Sequence, residues 1–283
     1  MAKKKLSVIE LQKMKENKEQ VVWITAYDFI TAQLAEQAGM DMILVGDSLG
    51  MCIYGYDGTI PVTMEQCIYH CEAVRRAAPN TFVIGDMPFG SYQISTEEAV
   101  YNAIRFHKEA NMDAVKLEGG QRVAEVVRAI ADSGMLVMGH LGLTPQSSNA
   151  LGGFKAQGRT AETAMAVVED ARIIYEAGAF SILIEAVPPE VTKIIRDELP
   201  IPIYSIGAGI HADGQVMIVS DLVGHFQAFT PKFVKRYGNV AGEMTKSFES
   251  YINEVKEGKF PSKDHAYRMI DGELPKLMDL LKK

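Results

Sequence analysis

The chain has 283 residues, 47% of them hydrophobic, with 29 basic and 36 acidic side chains and a formal charge of −7. That length fits one large domain with a sizeable core. The negative balance, with no basic face along the chain, argues against a nucleic-acid partner.

Strand-like and helix-like segments alternate from end to end. Residues 21–26 read as a strand, 29–37 as a helix and 42–46 as a second strand. A helix capped by Thr63 follows over 64–77, then a strand over 82–85 and a helix over 95–109. The rhythm continues with strand 114–117, helix 121–131, strand 136–139, helix 160–177, strand 181–184 and helix 189–197. Strands over 201–206 and 217–221 complete it. Within 160–177, Ala164, Val167, Val168, Ala171 and Ile174 recur at helical spacing. Near-continuous apolar strands imply burial on both faces, as in a parallel sheet covered by helices. Eight of them over roughly 200–250 residues match an α/β fold, the (β/α)8 TIM barrel. An open doubly wound sheet competes, but the chemistry-bearing residues recur after many strands rather than at one switch point. From about residue 242 the chain turns helical and charged, so residues 1–283 read as a single barrel domain with a C-terminal helical extension. Three long connections, 48–64, 142–160 and 224–237, are expected to be functional.

Cys52, Cys67 and Cys71 are too few for a disulfide framework, which points to a reducing, cytoplasmic compartment. No run approaches the ~20 apolar residues of a membrane span. The basic start, residues 1–5, is followed by no apolar stretch of signal-peptide length.

The informative residues are acids that close apolar runs: Asp47 after Ile43-Leu44-Val45-Gly46, Asp86 after Phe82-Val83-Ile84-Gly85, and Glu118 after Ala114-Val115-Lys116-Leu117. Asp28 and Glu185 are placed alike. In a barrel such positions share the C-terminal mouth, where active sites sit. One such acid is most simply a helix cap or ion-pair partner. Five gathered in one pocket would repel, and a hard divalent cation with oxygen ligands resolves that repulsion. Lys116 lies two residues before Glu118 and so shares its side of the strand. It pairs either with a carboxylate or with an anionic substrate. His140, after Leu136-Val137-Met138-Gly139, is either a hydrogen-bonded core histidine or a site residue.

These segments together resemble the ketopantoate hydroxymethyltransferase family. The resemblance runs from about Thr25 to Pro261. It rests on Thr25-Ala26-Tyr27-Asp28, Val45-Gly46-Asp47-Ser48-Leu49-Gly50, Lys116-Leu117-Glu118-Gly119-Gly120 and the run from Gly139 to Gln146. It continues in the run from Gly152 to Gly158, in Ile206-Gly207-Ala208-Gly209 and in Asp213-Gly214-Gln215. It implies a Mg²⁺-dependent aldol-type transfer of a hydroxymethyl group from 5,10-methylenetetrahydrofolate to α-ketoisovalerate, giving ketopantoate for pantothenate synthesis. Carried over by position, Asp47, Asp86 and Glu118 are metal ligands, direct or through water. Asp47, Ser48, Asp86, Lys116 and His140 face the substrate, and Glu185 is the general base at C3. An α-keto acid suits such a site, because its carboxylate and ketone oxygens can chelate a Lewis-acidic ion. The resemblance also implies a homo-oligomer, commonly a decamer. The competing readings are a Mg²⁺-dependent carbon–carbon lyase or mutase of the isocitrate lyase and phosphoenolpyruvate mutase type, and a non-catalytic 2-oxo acid binder. The first would carry a Lys-Lys-Cys-Gly-His-type loop that is missing here.

Overall fold

The structure, a computed structural model, describes residues 4–150 and 152–282. Residues 1–3 of the basic start, Leu151 of the long 142–160 connection and Lys283 lie outside the described residues. Eight parallel strands close into a barrel in sequence order: β1 Val21–Thr25, β2 Met42–Val45, β3 Phe82–Asp86, β4 Ala114–Glu118, β5 Leu136–Gly142, β6 Ser181–Glu185, β7 Ile203–Ile206 and β8 Gly214–Met217. Closure comes from the pairing of β8 with β1, Val21 opposite Gly214 and Trp23 opposite Val216. In chain order the helices are α1 Val8–Glu16, α2 Phe29–Ala38, α3 Leu49–Cys52, α4 Met64–Ala77, α5 Thr96–Lys108 and α6 Ala124–Asp132. They continue with α7 Ala161–Glu176, α8 Pro189–Glu198, α9 Val219–Leu222, α10 Val240–Lys256 and α11 Glu273–Leu281.

Strand alternation divides the core into two layers. Ile43, Val83, Val115, Val137, Ile182 and Ile203 belong to the cluster that also holds the helix residues Ala32, Val74, Phe106 and Ile174. Their alternates Trp23, Met42, Phe82, Ala114, Met138, Leu183, Tyr204 and Val216 fill the barrel interior. Leu11 of α1 joins that inner cluster, and Lys15 of α1 pairs with Asp213 at 3.0 Å, so α1 closes the N-terminal end. The opposite end is left open. The helices lie close against the outer layer. A Cβ added at Gly85 would sit 2.5 Å from the buried Phe106 ring. Gly85→Ala should therefore cost about 1–3 kcal/mol of stability through overpacking, and an unchanged denaturation midpoint would contradict this account.

The last strand lies upstream of the place its apolar run predicts. Residues 217–221 were expected to be extended, but β8 is Gly214–Met217 and α9 begins at Val219. The strand starts on a glycine because a Cβ there would meet the Val21 carbonyl oxygen at 2.4 Å, so the closing pairing requires a bare backbone. The apolar run that followed misled the pattern: the Val219 N–H donates to Thr25 Oγ1 at 3.0 Å instead of to a sheet partner. Asp28 is likewise no mouth residue. Its carboxylate accepts from the Thr31 N–H at 2.8 Å and from Thr31 Oγ1 at 2.7 Å, capping α2. The tail forms α10 and α11 as expected, neither with a buried residue.

Candidate active site

Interior parity places the functional side chains. Phe82 and Ile84 point into the barrel, so Asp86 does too. Ala114 is followed inward by Lys116 and Glu118, Met138 by His140, and Leu183 by Glu185. The acids are thus the last inward residues of their strands, where the apolar interior gives way to the mouth. Asp47 lies just past β2 and donates its N–H to Asp86 Oδ2 at 3.0 Å. These groups are almost wholly buried: Asp86 and Glu118 are each 1% exposed, Lys116 and His140 2%, and Asp47 4%. Ser48 is half-buried, its hydroxyl 2.8 Å from that of Tyr27.

Charge is packed densely here. Lys116 Nζ lies 2.7 Å from Asp86 Oδ1 and 3.8 Å from Glu118 Oε1. The first contact is an ion pair, and among the described residues it is the one polar contact of the buried Asp86 Oδ1. His140 Nδ1 is 3.2 Å from Glu118 Oε1, and Nε2 is 3.1 Å from Glu185 Oε2. Burial and the nearby Lys116 cation work against a charged His140, but the bonds to Glu118 and Glu185 outweigh them and hold it up at about 9. Lys116 Nζ also approaches His140 Nδ1 to 3.3 Å, so the two basic groups converge on Glu118. Burial raises the Glu118 carboxyl, but His140, Lys116 and the Gln146 N–H reverse the balance and hold it below its ordinary value. Asp47 and Asp86 go the other way. Burial pushes both up; Asp86 and Glu118 add to the effect on Asp47, while Lys116 offsets only part of it at Asp86.

Gln146, which charge patterning did not single out, ties the cluster together. Its N–H donates to Glu118 Oε2 at 3.0 Å, and its Nε2 donates to Asp47 Oδ2 and to the Met87 carbonyl, each at 2.9 Å. Tyr92 OH donates to Gln146 Oε1 at 2.5 Å and sits 3.1 Å from the Glu118 N–H, which it accepts. An uncharged amide in a long loop leaves no signature except its place in the Thr144-Pro145-Gln146 motif. Glu185 ends β6, and the next residue, Ala186, has φ +49. A left-handed alanine is strained, and the strain turns the chain at the strand end: Ala186 N–H donates to Ile206 O, and its carbonyl accepts from Gln157 N–H, both at 2.9 Å.

Four acids, Asp47, Asp86, Glu118 and Glu185, face two cations, Lys116 and His140, and the donors left over are hard carboxylate oxygens. Asp86 Oδ1 in particular meets only the Lys116 ammonium among the described residues. That donor set fits a hard divalent cation such as Mg²⁺. Among the described residues no three His, Cys, Asp or Glu side chains are grouped closely enough to hold an ion by themselves. Glu118 is taken up by Gln146 and His140, so Asp47 and Asp86 are the oxygens nearest to hand. The cluster opens into a cavity of about 960 Å³ that also meets Ser48, Phe154, Arg159 and Asp221.

Buried charge at a barrel mouth is costly to folding and is kept where chemistry uses it, which places the chain among the (β/α)8-barrel enzymes. The sequence profile described as ketopantoate hydroxymethyltransferase matches residues 5–263, and the chain belongs to that family. The 3-methyl-2-oxobutanoate hydroxymethyltransferase of Alkaliphilus metalliredigens (strain QYMF) is 65% identical over 271 residues, covering 96% of this chain and 95% of the relative. That of Moorella thermoacetica (strain ATCC 39073 / JCM 9320) is 50% identical over 264 residues, covering 93% and 98%. Solved structures share the fold at much lower identity. A phosphonopyruvate hydrolase complexed with oxalate and Mg²⁺ superposes with a TM-score of 0.60 at 14% identity, covering 97% of this chain and 96% of the other. 2,3-Dimethylmalate lyase, a PEP mutase/isocitrate lyase superfamily member, gives 0.57 at 16%, covering 97% and 95%. The lyase-type resemblance is thus one of fold, and the transferase family is the chain's own. No helix among the described residues is long and apolar enough to cross a membrane.

Proposed function

We propose that this chain performs the aldol-type transfer its family name describes, with α-ketoisovalerate as acceptor and 5,10-methylenetetrahydrofolate as donor of the one-carbon unit. The observation that carries the reading is the anionic surplus at the mouth beside Glu185, the half-buried acid of the cluster. Asp47, Asp86 and Glu118 would hold Mg²⁺, directly or through water, and the bound ion would supply Lewis acidity at the keto acid's carbonyl. Ser48 donates its hydroxyl to the substrate carboxylate. Lys116, already facing two carboxylates, lends positive charge where the enolate oxygen develops. Glu185 takes the C3 proton, and His140, 3.1 Å from Glu185 Oε2, orients that carboxylate. The test is turnover of α-ketoisovalerate and methylenetetrahydrofolate with Mg²⁺ to ketopantoate; no product under these conditions would overturn the reading.

Asp86→Ala takes one partner from Lys116 and the acceptor from the Asp47 N–H, so it should cost some stability. Glu118 still faces Lys116 and the fold should survive, while Mg²⁺ binding should weaken by more than tenfold. Even outer partners of a metal site are worth about 10–100-fold. A titration matching the parent would return Asp86 to a structural role as the partner of Lys116. The free thiols of Cys52, Cys67 and Cys71 support a reducing, cytoplasmic setting. The exposed Phe248, Tyr251 and Ile252 of α10 and Leu274, Leu277 and Met278 of α11 support assembly into a homo-oligomer.

A further inference from the structure

A small keto acid and one ion leave most of the mouth unfilled, because a cavity of about 960 Å³ is of the size that takes a drug-sized ligand. The segment after β8 contributes Phe226, Phe229 and Phe233 to its wall, together with one acid, Asp221. Phe226 and Phe229 meet edge to face, their centroids 5.3 Å apart. Asp221 differs from the other acids of the mouth. Asp47, Glu118 and Glu185 are held by Gln146 or His140 and Asp86 by Lys116, and Asp57 stands exposed to water. Asp221 is 7% exposed, yet among the described residues no hydrogen bond or ion pair reaches its carboxylate. Its backbone is satisfied, the N–H donating to Ile218 O at 3.1 Å, and the neighbouring Ser220 hydroxyl donates to Cys52 Sγ at 3.3 Å. Burial pushes the Asp221 carboxyl up, and Arg236 offsets only part of that.

A buried, unpartnered carboxylate facing a cavity calls for a ligand with donors. Two adjacent N–H groups satisfy both oxygens at once, as a guanidinium does. The folate of the reaction proposed above presents such an edge. The 2-amino-4-oxopyrimidine ring of a pterin carries a ring N–H and an exocyclic amino group side by side, at the end away from the one-carbon unit. We propose that Asp221 receives this pterin edge in a bidentate pair and thereby sets how the folate lies across the mouth, reactive side toward the keto acid and Glu185. The proposal rests on that reading of the reaction. The phenylalanines offer apolar surface to the flat ring system. Arg159 and Lys232 stand exposed on the cavity rim without a partner among the described residues, where the carboxylates of the glutamate tail would leave the site.

Tetrahydrofolate, which carries no one-carbon unit and is not turned over, serves as the binding probe. It is compared with an analogue whose 2-amino group is replaced by methyl, on the parent, Asp221→Asn and Asp221→Ala. Hydrogen bonds to a charged group are worth enough that both variants should bind tetrahydrofolate about 10–100-fold more weakly. The parent should disfavour the 2-methyl analogue by a similar factor, and the variants should bind the two ligands equally, the signature of a direct contact. Asp221→Asn preserves size and decides the matter if the alanine variant does not fold. Parent-like affinity in Asp221→Asn, or a 2-amino preference that survives in it, overturns the proposal. Hydrogen exchange at C3 of α-ketoisovalerate in the parent, measured without folate, tests the reaction separately. Its absence would sink that reading, while the binding comparison still decides on Asp221.

Discussion

Replacing Glu185 by glutamine should lower the exchange of the C3 hydrogen of α-ketoisovalerate with deuterated water by about 10²–10⁴, the usual worth of a general base. Glutamine keeps the size and the hydrogen-bonding reach of glutamate but cannot accept that proton. The backbone around it is fixed independently of the side chain. The Glu185 carbonyl accepts from Leu143 N–H at 2.9 Å, and the left-handed Ala186 with Pro188 and Pro189 stops the strand. The substitution should therefore leave Asp47, Asp86 and Lys116 in place, and both Mg²⁺ and the keto acid should still bind. Exchange is the sharper readout than turnover because it needs no folate and isolates the proton transfer. Parent-like exchange in Glu185→Gln would remove Glu185 from the mechanism. His140 would then be the group to examine, and its pKa of about 9 makes it a poor base at neutral pH as long as both carboxylates hold it protonated.

The barrel was legible because its strands are apolar on both faces, and the acid that closes each run marks where burial gives way to the mouth. Asp86, Glu118 and Glu185 all fall on the inner parity of their strands, which a period of two reports directly. The same pattern failed at Asp28, since an acid closing a strand and an acid capping the next helix look alike until Thr31 is seen to donate to it. It failed again at β8, where the feature that defines the strand is the bare backbone of Gly214 against Val21 and the apolar run lies beyond it. Asp221 closes that misread run, so the signal was present but was assigned to an extended strand rather than to the start of α9. Gln146 was out of reach for another reason. Its importance is that one amide meets Glu118, Asp47 and Met87 from a loop, and nothing in its residue type announces three buried partners.

Lys116→Met should be the most damaging single change to the fold of the mouth. Nζ is the cation nearest to Asp86 and also faces Glu118, all three side chains being nearly inaccessible. Methionine fills a similar volume but leaves the carboxylates without that countercharge. Breaking a buried pair from one side costs about 3–5 kcal/mol, because the remaining charge stays desolvated, and a domain has only about 5–15 kcal/mol to lose. His140 cannot take over: its two N–H groups already face Glu118 and Glu185. A divalent ion held by Asp47 and Asp86 would supply the missing positive charge at nearly the same place. Denaturation midpoints of parent and variant should therefore lie far apart in the presence of a chelator and draw closer with saturating Mg²⁺. That narrowing separates an electrostatic role for Lys116 from a packing role, since a cavity or overpacking defect in the barrel interior would not respond to the ion. A midpoint equal to the parent's in chelator would show that the acids of the mouth are neutral when metal-free and that Lys116 balances nothing.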